Sequence, residues 1–201
     1  MERKWLVGIV AGVLALAAVL ALIGGGVVGR SIVPSPATTP ETTPAVPETV
    51  RFKDTLTDVA IAYPRTWVRR VSDDQAVRIL VSSRDASVGA SVSVRKSGLT
   101  EEVNSRNLAL VRPLTDDLVA GDDRITARAD PVAVTVGGLP GYRYRYTYKT
   151  ADKTEGVHDH YFLFKQGRLV QLVLQAVPAT SLKALQPTFD RIVASFQAPR
   201  G

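Results

Sequence analysis

The sequence contains no cysteine, and only two histidines, one methionine and two tryptophans occur among its 201 residues. Without cysteine the chain cannot form a disulfide, a zinc–thiolate site or a lipid anchor on an N-terminal cysteine. The patterns G-x-S-x-G, H-E-x-x-H and G-x-x-x-x-G-K are also missing. We predict a protein that is not an enzyme and has no cofactor, because neither a nucleophile with its base nor a metal cluster can be assembled.

Charge is absent from the stretch between Trp5 and Gly29. As a helix, at about 1.5 Å per residue, this run exceeds the roughly 30 Å hydrocarbon core of a bilayer. We predict a transmembrane helix over residues 5–29 after a cytoplasmic segment over 1–4, with a cleaved signal peptide as the alternative. Two basic residues precede the run and one follows it, so the positive-inside bias predicts a single-pass cell-membrane protein whose C-terminal part is extracytoplasmic.

Proline and threonine dominate the next segment, residues 30–49, which has five of each. Such a segment has too few apolar side chains to offset the entropy of ordering. We predict a disordered, extended tether of up to roughly 60 Å. A glycosylated or partner-binding segment is the alternative interpretation.

Residues 50–201 have the composition of a folded domain, and the net charge of +6 belongs to it. Residues 51–201 contain 22 basic and 16 acidic side chains, and the two signs are interspersed. Interspersed charge and an extracytoplasmic location both argue against nucleic-acid binding.

Most of this domain has the period-two patterning of β-strands. The predicted strands are 50–54, 58–62, 76–83, 88–95, 132–136, 142–149, 158–165 and 168–177. In the strand 88–95, valine and alanine alternate with small or polar residues, which predicts one solvent-exposed side.

Two stretches have helical spacing. Thr100 is a candidate N-cap for a helix with apolar residues at Val103, Leu110, Leu114 and Leu118, in which Pro113 predicts a break or a second helix start. Near the C-terminus an apolar stripe predicts a helix with a kink at Pro187. The stripe is Leu182, Leu185, Phe189, Ile192, Val193 and Phe196. Strands combined with these helices predict an α+β domain.

The strand 142–149 alternates tyrosine with mainly basic residues. Its four tyrosines share one face, whereas Arg143, Arg145 and Lys149 share the other. The tyrosine face is predicted to pack under a helix; a ligand-stacking surface that includes Tyr142 and Tyr144 is the alternative. The basic face is either a solvated surface or a contact for an anionic polymer or lipid headgroup.

Gln166 and Gly167 predict a two-residue hairpin turn between the last two strands. The resulting register places Leu163 opposite Val170, and His158 opposite Gln175. His158 and His160 lie on the same strand face, at a spacing that a metal could bridge if a neighbour supplied a third ligand. No third ligand is identifiable, so we predict a partly covered polar face.

Short motifs in this domain resemble the PsbP-like superfamily. They are Tyr63-Pro64-x-x-Trp67, the Gly-Gly-Leu-Pro-Gly turn at 137–141, Tyr161-Phe162, and the helix ending at 192–196. The resemblance covers residues 50–198 and is closest to extracytoplasmic LpqN-type lipoproteins of actinobacteria. The excess of arginine over lysine is typical of a GC-rich bacterial source.

This resemblance implies an antiparallel sheet sandwiched by helices and used for binding or scaffolding rather than catalysis. Here a hydrophobic span replaces the lipidated cysteine. The matching positions are turn and packing positions, so no family site residue is transferred. An NTF2-like cone is the alternative fold, although it has helices before its strands.

These observations predict a membrane-anchored, extracytoplasmic binding or scaffold domain that contacts a cell-envelope protein or an anionic polymer. One alternative is a carrier or sensor of a small apolar molecule or lipid held between sheet and helix. A second alternative is a weak metal-binding domain that uses His158 and His160.

Overall fold

The computed structural model describes residues 48–200. The predicted cytoplasmic segment, the predicted span and nearly all of the predicted tether lie outside the described residues. Within 48–200, no helix is both long enough and apolar enough to cross a membrane.

The described chain contains ten strands and two α-helices. The strands are β1 (Thr49–Lys53), β2 (Ala60–Pro64), β3 (Val68–Arg69), β4 (Val77–Ser82), β5 (Val88–Lys96), β6 (Ile125–Arg128), β7 (Val132–Val136), β8 (Leu139–Lys149), β9 (Glu155–Lys165) and β10 (Arg168–Ala176). The helices are α1 (Arg112–Ala120) and α2 (Leu182–Ser195), preceded by 3₁₀ turns at Leu108–Val111 and Ala179–Ser181.

Eight strands form one antiparallel sheet, and seven of them follow the order β3-β4-β5-β10-β9-β8-β6. The eighth strand, β7, pairs with the first half of β8, and β6 pairs with the second half of the same edge of β8. Strands β1 and β2 form a separate hairpin against α2, where Ser195 Oγ accepts a hydrogen bond from the Ala62 amide at 2.7 Å.

The predicted hairpin between β9 and β10 is confirmed, residue for residue. Leu163 pairs with Val170 and His158 pairs with Gln175. Both turn residues have positive φ, 46° at Gln166 and 71° at Gly167, as a primed two-residue turn requires.

Two apolar cores lie on opposite faces of the sheet, because alternate residues of β9 belong to different cores. Tyr161 and Leu163 pack with α2 and the β1–β2 hairpin. Phe162 packs with α1 and the 3₁₀ turn before it. The antiparallel sheet covered by helices on both faces, predicted as an α+β domain, is therefore present.

Two expectations concern the predicted helix after Thr100. Helix α1 begins at Arg112 with Pro113 in its first turn, as predicted, but Thr100 does not begin a helix. Asn107 explains why: its side-chain oxygen accepts from the Asn104 amide at 2.7 Å, and its nitrogen donates to the Glu102 carbonyl at 2.9 Å. Such side-chain bonds satisfy the backbone without a helix.

The exposed side predicted for β5 is wrong. Ser91 and Ser93 are only 4% and 9% exposed, because both faces of this central strand are covered. Helix α2 runs continuously through Pro187, and its predicted stripe buries Phe189 and Ile192.

Candidate functional site

The tyrosines of β8 form part of the core under α1. Tyr142, Tyr144 and Tyr146 are at most 7% exposed and pack with Leu118 and Phe162. The core interpretation of this face is therefore confirmed, and these rings are not available at the surface for stacking on a ligand.

The hydroxyl group of Tyr144 is anchored to α1. It donates to Asp116 Oδ1 at 3.1 Å and lies 2.6 Å from Thr115 Oγ1. Burial raises the pKa of this phenol to about 12. The hydrogen bonds of Tyr144 thus fix the short helix α1 to the sheet.

A buried polar chain crosses β8, β9 and β10 on the same sheet face. The Tyr146 hydroxyl lies 3.1 Å from His158 Nδ1 and 3.0 Å from His160 Nδ1. The other ring nitrogens contact amide side chains, His158 Nε2 with Gln175 at 2.9 Å and His160 Nε2 with Gln171 at 3.0 Å. All four imidazole nitrogens therefore have protein partners.

Both imidazoles are neutral at pH 7. Burial lowers the pKa of His158 to about 4 and that of His160 to about 3. Arg124 and Asp122 act on the pKa of His158 in opposite directions, and they form an ion pair with a 2.8 Å contact.

Proton counting assigns the tautomer of the two histidines. Both glutamines present their carbonyl oxygen Oε1 to an Nε2 atom, so each Nε2 donates and each neutral imidazole has an unprotonated Nδ1. The Tyr146 hydroxyl lies between the two Nδ1 atoms and has one proton, which it donates to one of them at a time.

Aromatic rings close the ends of this polar chain. Phe162 stacks on His160 with ring centroids 3.9 Å apart, and Tyr148 covers His158 at 4.3 Å. Within the described residues no group of three or more histidine, aspartate or glutamate side chains is arranged to hold a metal. The two histidines and their partners are thus packed as part of the core.

The basic face of β8 is largely tied to its own domain. Arg145 makes a bidentate ion pair with the fully buried Asp159, at 2.7 and 2.6 Å, and a 2.9 Å bond to Gln186 of α2. Arg143 hydrogen bonds to Tyr161. Of the basic residues predicted to contact a partner, Lys149 is the most exposed, with only a 3.6 Å contact to Glu155.

An open apolar groove of about 470 Å³ lies between the beginning of α2 and the β6 edge of the sheet. Its floor includes Thr147 and Val157, and Ala179 and Leu182 form the helical wall. Arg128 and Arg145 also line it. Sequence patterns could not reveal this groove, because it joins segments far apart in the chain.

Solved structures, but no sequence relatives, identify this fold. No family model and no curated protein matches the sequence. The fold is that of cyanobacterial PsbP (CyanoP) from Synechocystis sp. PCC 6803, with 15% identity, TM-score 0.50, and coverage of 78% of this chain and 96% of that protein. The domain therefore has a PsbP-like fold, as the resemblance implied.

A second structural neighbour agrees with the closer resemblance. It is LpqN of Mycobacterium tuberculosis, described as involved in cell envelope biogenesis. Identity is 13% and the TM-score 0.53, over 76% of this chain and 91% of LpqN. These identities support the shared fold and no transfer of individual residues.

Proposed function

We propose that the chain is a membrane-tethered protein whose PsbP-like domain lies outside the cytoplasm and binds or scaffolds a cell-envelope protein or anionic polymer, without catalysis. The observation that carries this proposal is the state of the two histidines. Both are buried and neutral, and each of their ring nitrogens lies within hydrogen-bond distance of a protein group, so the residues best suited to acid–base or metal chemistry serve the core.

The predicted tether and the LpqN-like fold support the envelope setting. The excess of basic side chains in the domain favours an anionic partner. Lys149, at the end of β8, is the exposed basic group on which we centre the contact.

Photo-crosslinking in intact cells tests this proposal. A photoreactive amino acid at Lys149 is expected to capture an envelope protein or polymer, whereas the same group at Lys96 is not. Lys96 is a matched control, since it is an exposed lysine at the end of another strand of the sheet. Absence of any envelope adduct at Lys149, or equal adducts at both positions, would contradict the proposal.

A second candidate function is a carrier of a small apolar molecule, favoured by the groove beside α2. The groove is open rather than a closed cavity, and the arginines that line it suit an amphiphile with an anionic group. Native mass spectrometry of the membrane-extracted protein is expected to show a bound lipid. Ala179→Trp, which fills the groove, removes that mass, whereas Ala194→Trp on the exposed side of α2 retains it.

A further inference from the structure

We propose that the chain forms a homodimer by antiparallel pairing of β7 with β7 of a second copy. This inference is independent of the proposed function. It rests on the free backbone groups of β7, on the symmetry of its sequence and on the contrast with the other edges.

The register with β8 identifies the free backbone groups of β7. Gly137 and Gly138 form the two-residue turn, so Val136 and Leu139 are the closing hydrogen-bonded pair. Bonding to β8 then alternates along the strand. The amide and carbonyl groups of Ala133 and Thr135 point away from β8, and no other described strand pairs with that edge.

Three of the five side chains of β7 are exposed, and none of the five is charged. Ala133 and Thr135 are exposed on one face, and Val132 on the other face is 49% exposed. Proteins normally protect such an edge with charge or with a very short strand. Strand β3 at the opposite edge of the sheet has only two residues, one of them Arg69, whereas β7 has five residues and no charge.

The sequence of β7, Val-Ala-Val-Thr-Val, is nearly palindromic about Val134. An antiparallel twofold axis at Val134 places Ala133 opposite Thr135 of the second copy, twice by symmetry. Both of these residues have outward backbone groups, so the pairing makes four hydrogen bonds. Val134 faces its own copy as a non-hydrogen-bonded pair, and Val132 faces Val136, which gives β-branched cross-strand contacts.

The flanking residues fit the same register. Pro131 is the next residue, after Ala133, whose backbone faces away from β8, and it has no N–H to donate. The hydrogen bonds between the two copies therefore end at Ala133. Asp130, the nearest charged residue, lies opposite Gly138 of the second copy, and no like charges are opposed. An isologous contact of this kind extends the sheet without opening either core.

The expected affinity is low, because four hydrogen bonds and one short row of valines bury less than the roughly 1,200 Å² of a stable interface. Confinement of the chain to a membrane would raise its effective concentration and favour the pairing. The dimer is therefore best trapped covalently in the full-length chain.

Because the chain has no cysteine, a disulfide between two copies can form only at a cysteine that is introduced. In a non-hydrogen-bonded antiparallel pair the two Cα atoms are about 4.5 Å apart, within disulfide range. Val134→Cys in the full-length chain is expected to give a covalent dimer on mild oxidation. Ala133→Cys is the matched control, and it is expected to stay monomeric because residue 133 faces 135 rather than itself.

Adding Thr135→Cys to Ala133→Cys is expected to restore the covalent dimer, since the two cysteines then face each other across the axis. A Val134→Cys chain that remains monomeric would overturn the proposal. Equal crosslinking of Val134→Cys and Ala133→Cys would also overturn it, because that result indicates random collision instead of this register.

Charge variants at the same exposed positions provide a readout without oxidation. Ala133→Lys with Thr135→Lys opposes like charges twice across the axis, whereas Ala133→Asp with Thr135→Lys opposes unlike charges. Sedimentation of the full-length chain in detergent is expected to show at least a several-fold weaker dimer for the first pair than for the second. Identical association of both variants would exclude this edge.

Discussion

At the scale of single residues, the domain uses its two histidines as structure. The two histidines share one tyrosine hydroxyl and each has a glutamine partner, in a region that burial keeps free of net charge. Removing one partner of a buried polar group costs more than the bond itself contributes, since the remaining group is left unsatisfied. The Tyr146 hydroxyl, which both histidines share, is therefore expected to be sensitive to substitution.

Tyr146→Phe removes that hydroxyl and leaves both Nδ1 atoms without their partner. We expect a loss of about 1 to 3 kcal/mol in the free energy of unfolding, measured in urea. Tyr142→Phe is the control, because its hydroxyl makes only one long contact of 3.4 Å to the Leu108 carbonyl, and the expected loss is smaller. Equal losses in both variants would show that the shared hydroxyl has no special role.

The histidines also predict how stability depends on pH. Their folded pKa values, about 4 and about 3, lie below the value of about 6.5 in the unfolded chain. Between these limits the unfolded state binds more protons, so stability is full above pH 7 and falls as the pH drops. The limiting slope for two protons is about 2.7 kcal/mol per pH unit.

Urea unfolding between pH 7 and pH 4.5 measures this slope, in a window where the paired carboxylate of Asp122 stays ionised because its pKa is lowered. In a variant that combines His158→Gln with His160→Gln, the slope is expected to disappear. A slope that persists in this variant would assign the pH dependence to other groups.

At the scale of elements, strand β8 is joined to β9 by the ion pair of Arg145 with Asp159, and Arg145 also donates a hydrogen bond to Gln186 of α2. The Arg145 side chain is 36% exposed, whereas that of Asp159 is completely buried. A buried carboxylate that loses its only cation retains the cost of desolvation. The pair therefore joins two neighbouring strands, and its arginine contacts α2 through Gln186.

Arg145→Met is expected to cost about 3 kcal/mol of unfolding free energy, and adding Asp159→Asn is expected to recover most of that loss. Lys149→Met on the same strand, with an exposed ion pair, is expected to change stability by less than about 1 kcal/mol. If Arg145→Met proved as mild as Lys149→Met, the ion pair with Asp159 would contribute little to stability.

The elements also show what sequence can and cannot predict here. The β9–β10 register was predictable because a two-residue turn and period-two alternation act locally. The diagonal bond between His160 and Gln171 does not follow from the register, which places Val173 directly opposite His160. The covered polar face of β5 and the groove beside α2 depend on segments distant in sequence, and local periodicity does not encode them.

At the scale of the whole molecule, a single chain is proposed to combine an anchor, a tether and a PsbP-like domain. The chain resembles LpqN-type proteins in its domain, but it lacks the cysteine on which a lipid anchor is built. If the hydrophobic run spans the bilayer, the domain is held at a distance set by the tether and meets its partners near the membrane surface.

Single cysteines in the cysteine-free chain test this topology. Leu56 lies in the turn between β1 and β2 and is 79% exposed. In the Leu56→Cys variant, a membrane-impermeant maleimide is expected to label the cysteine in intact cells. Glu2→Cys, in the predicted cytoplasmic segment, is expected to react only after the cells are made permeable. Labelling of Glu2→Cys in intact cells would indicate the opposite orientation. A labelled Leu56→Cys product that begins near residue 30 would indicate a cleaved signal peptide instead of an anchor.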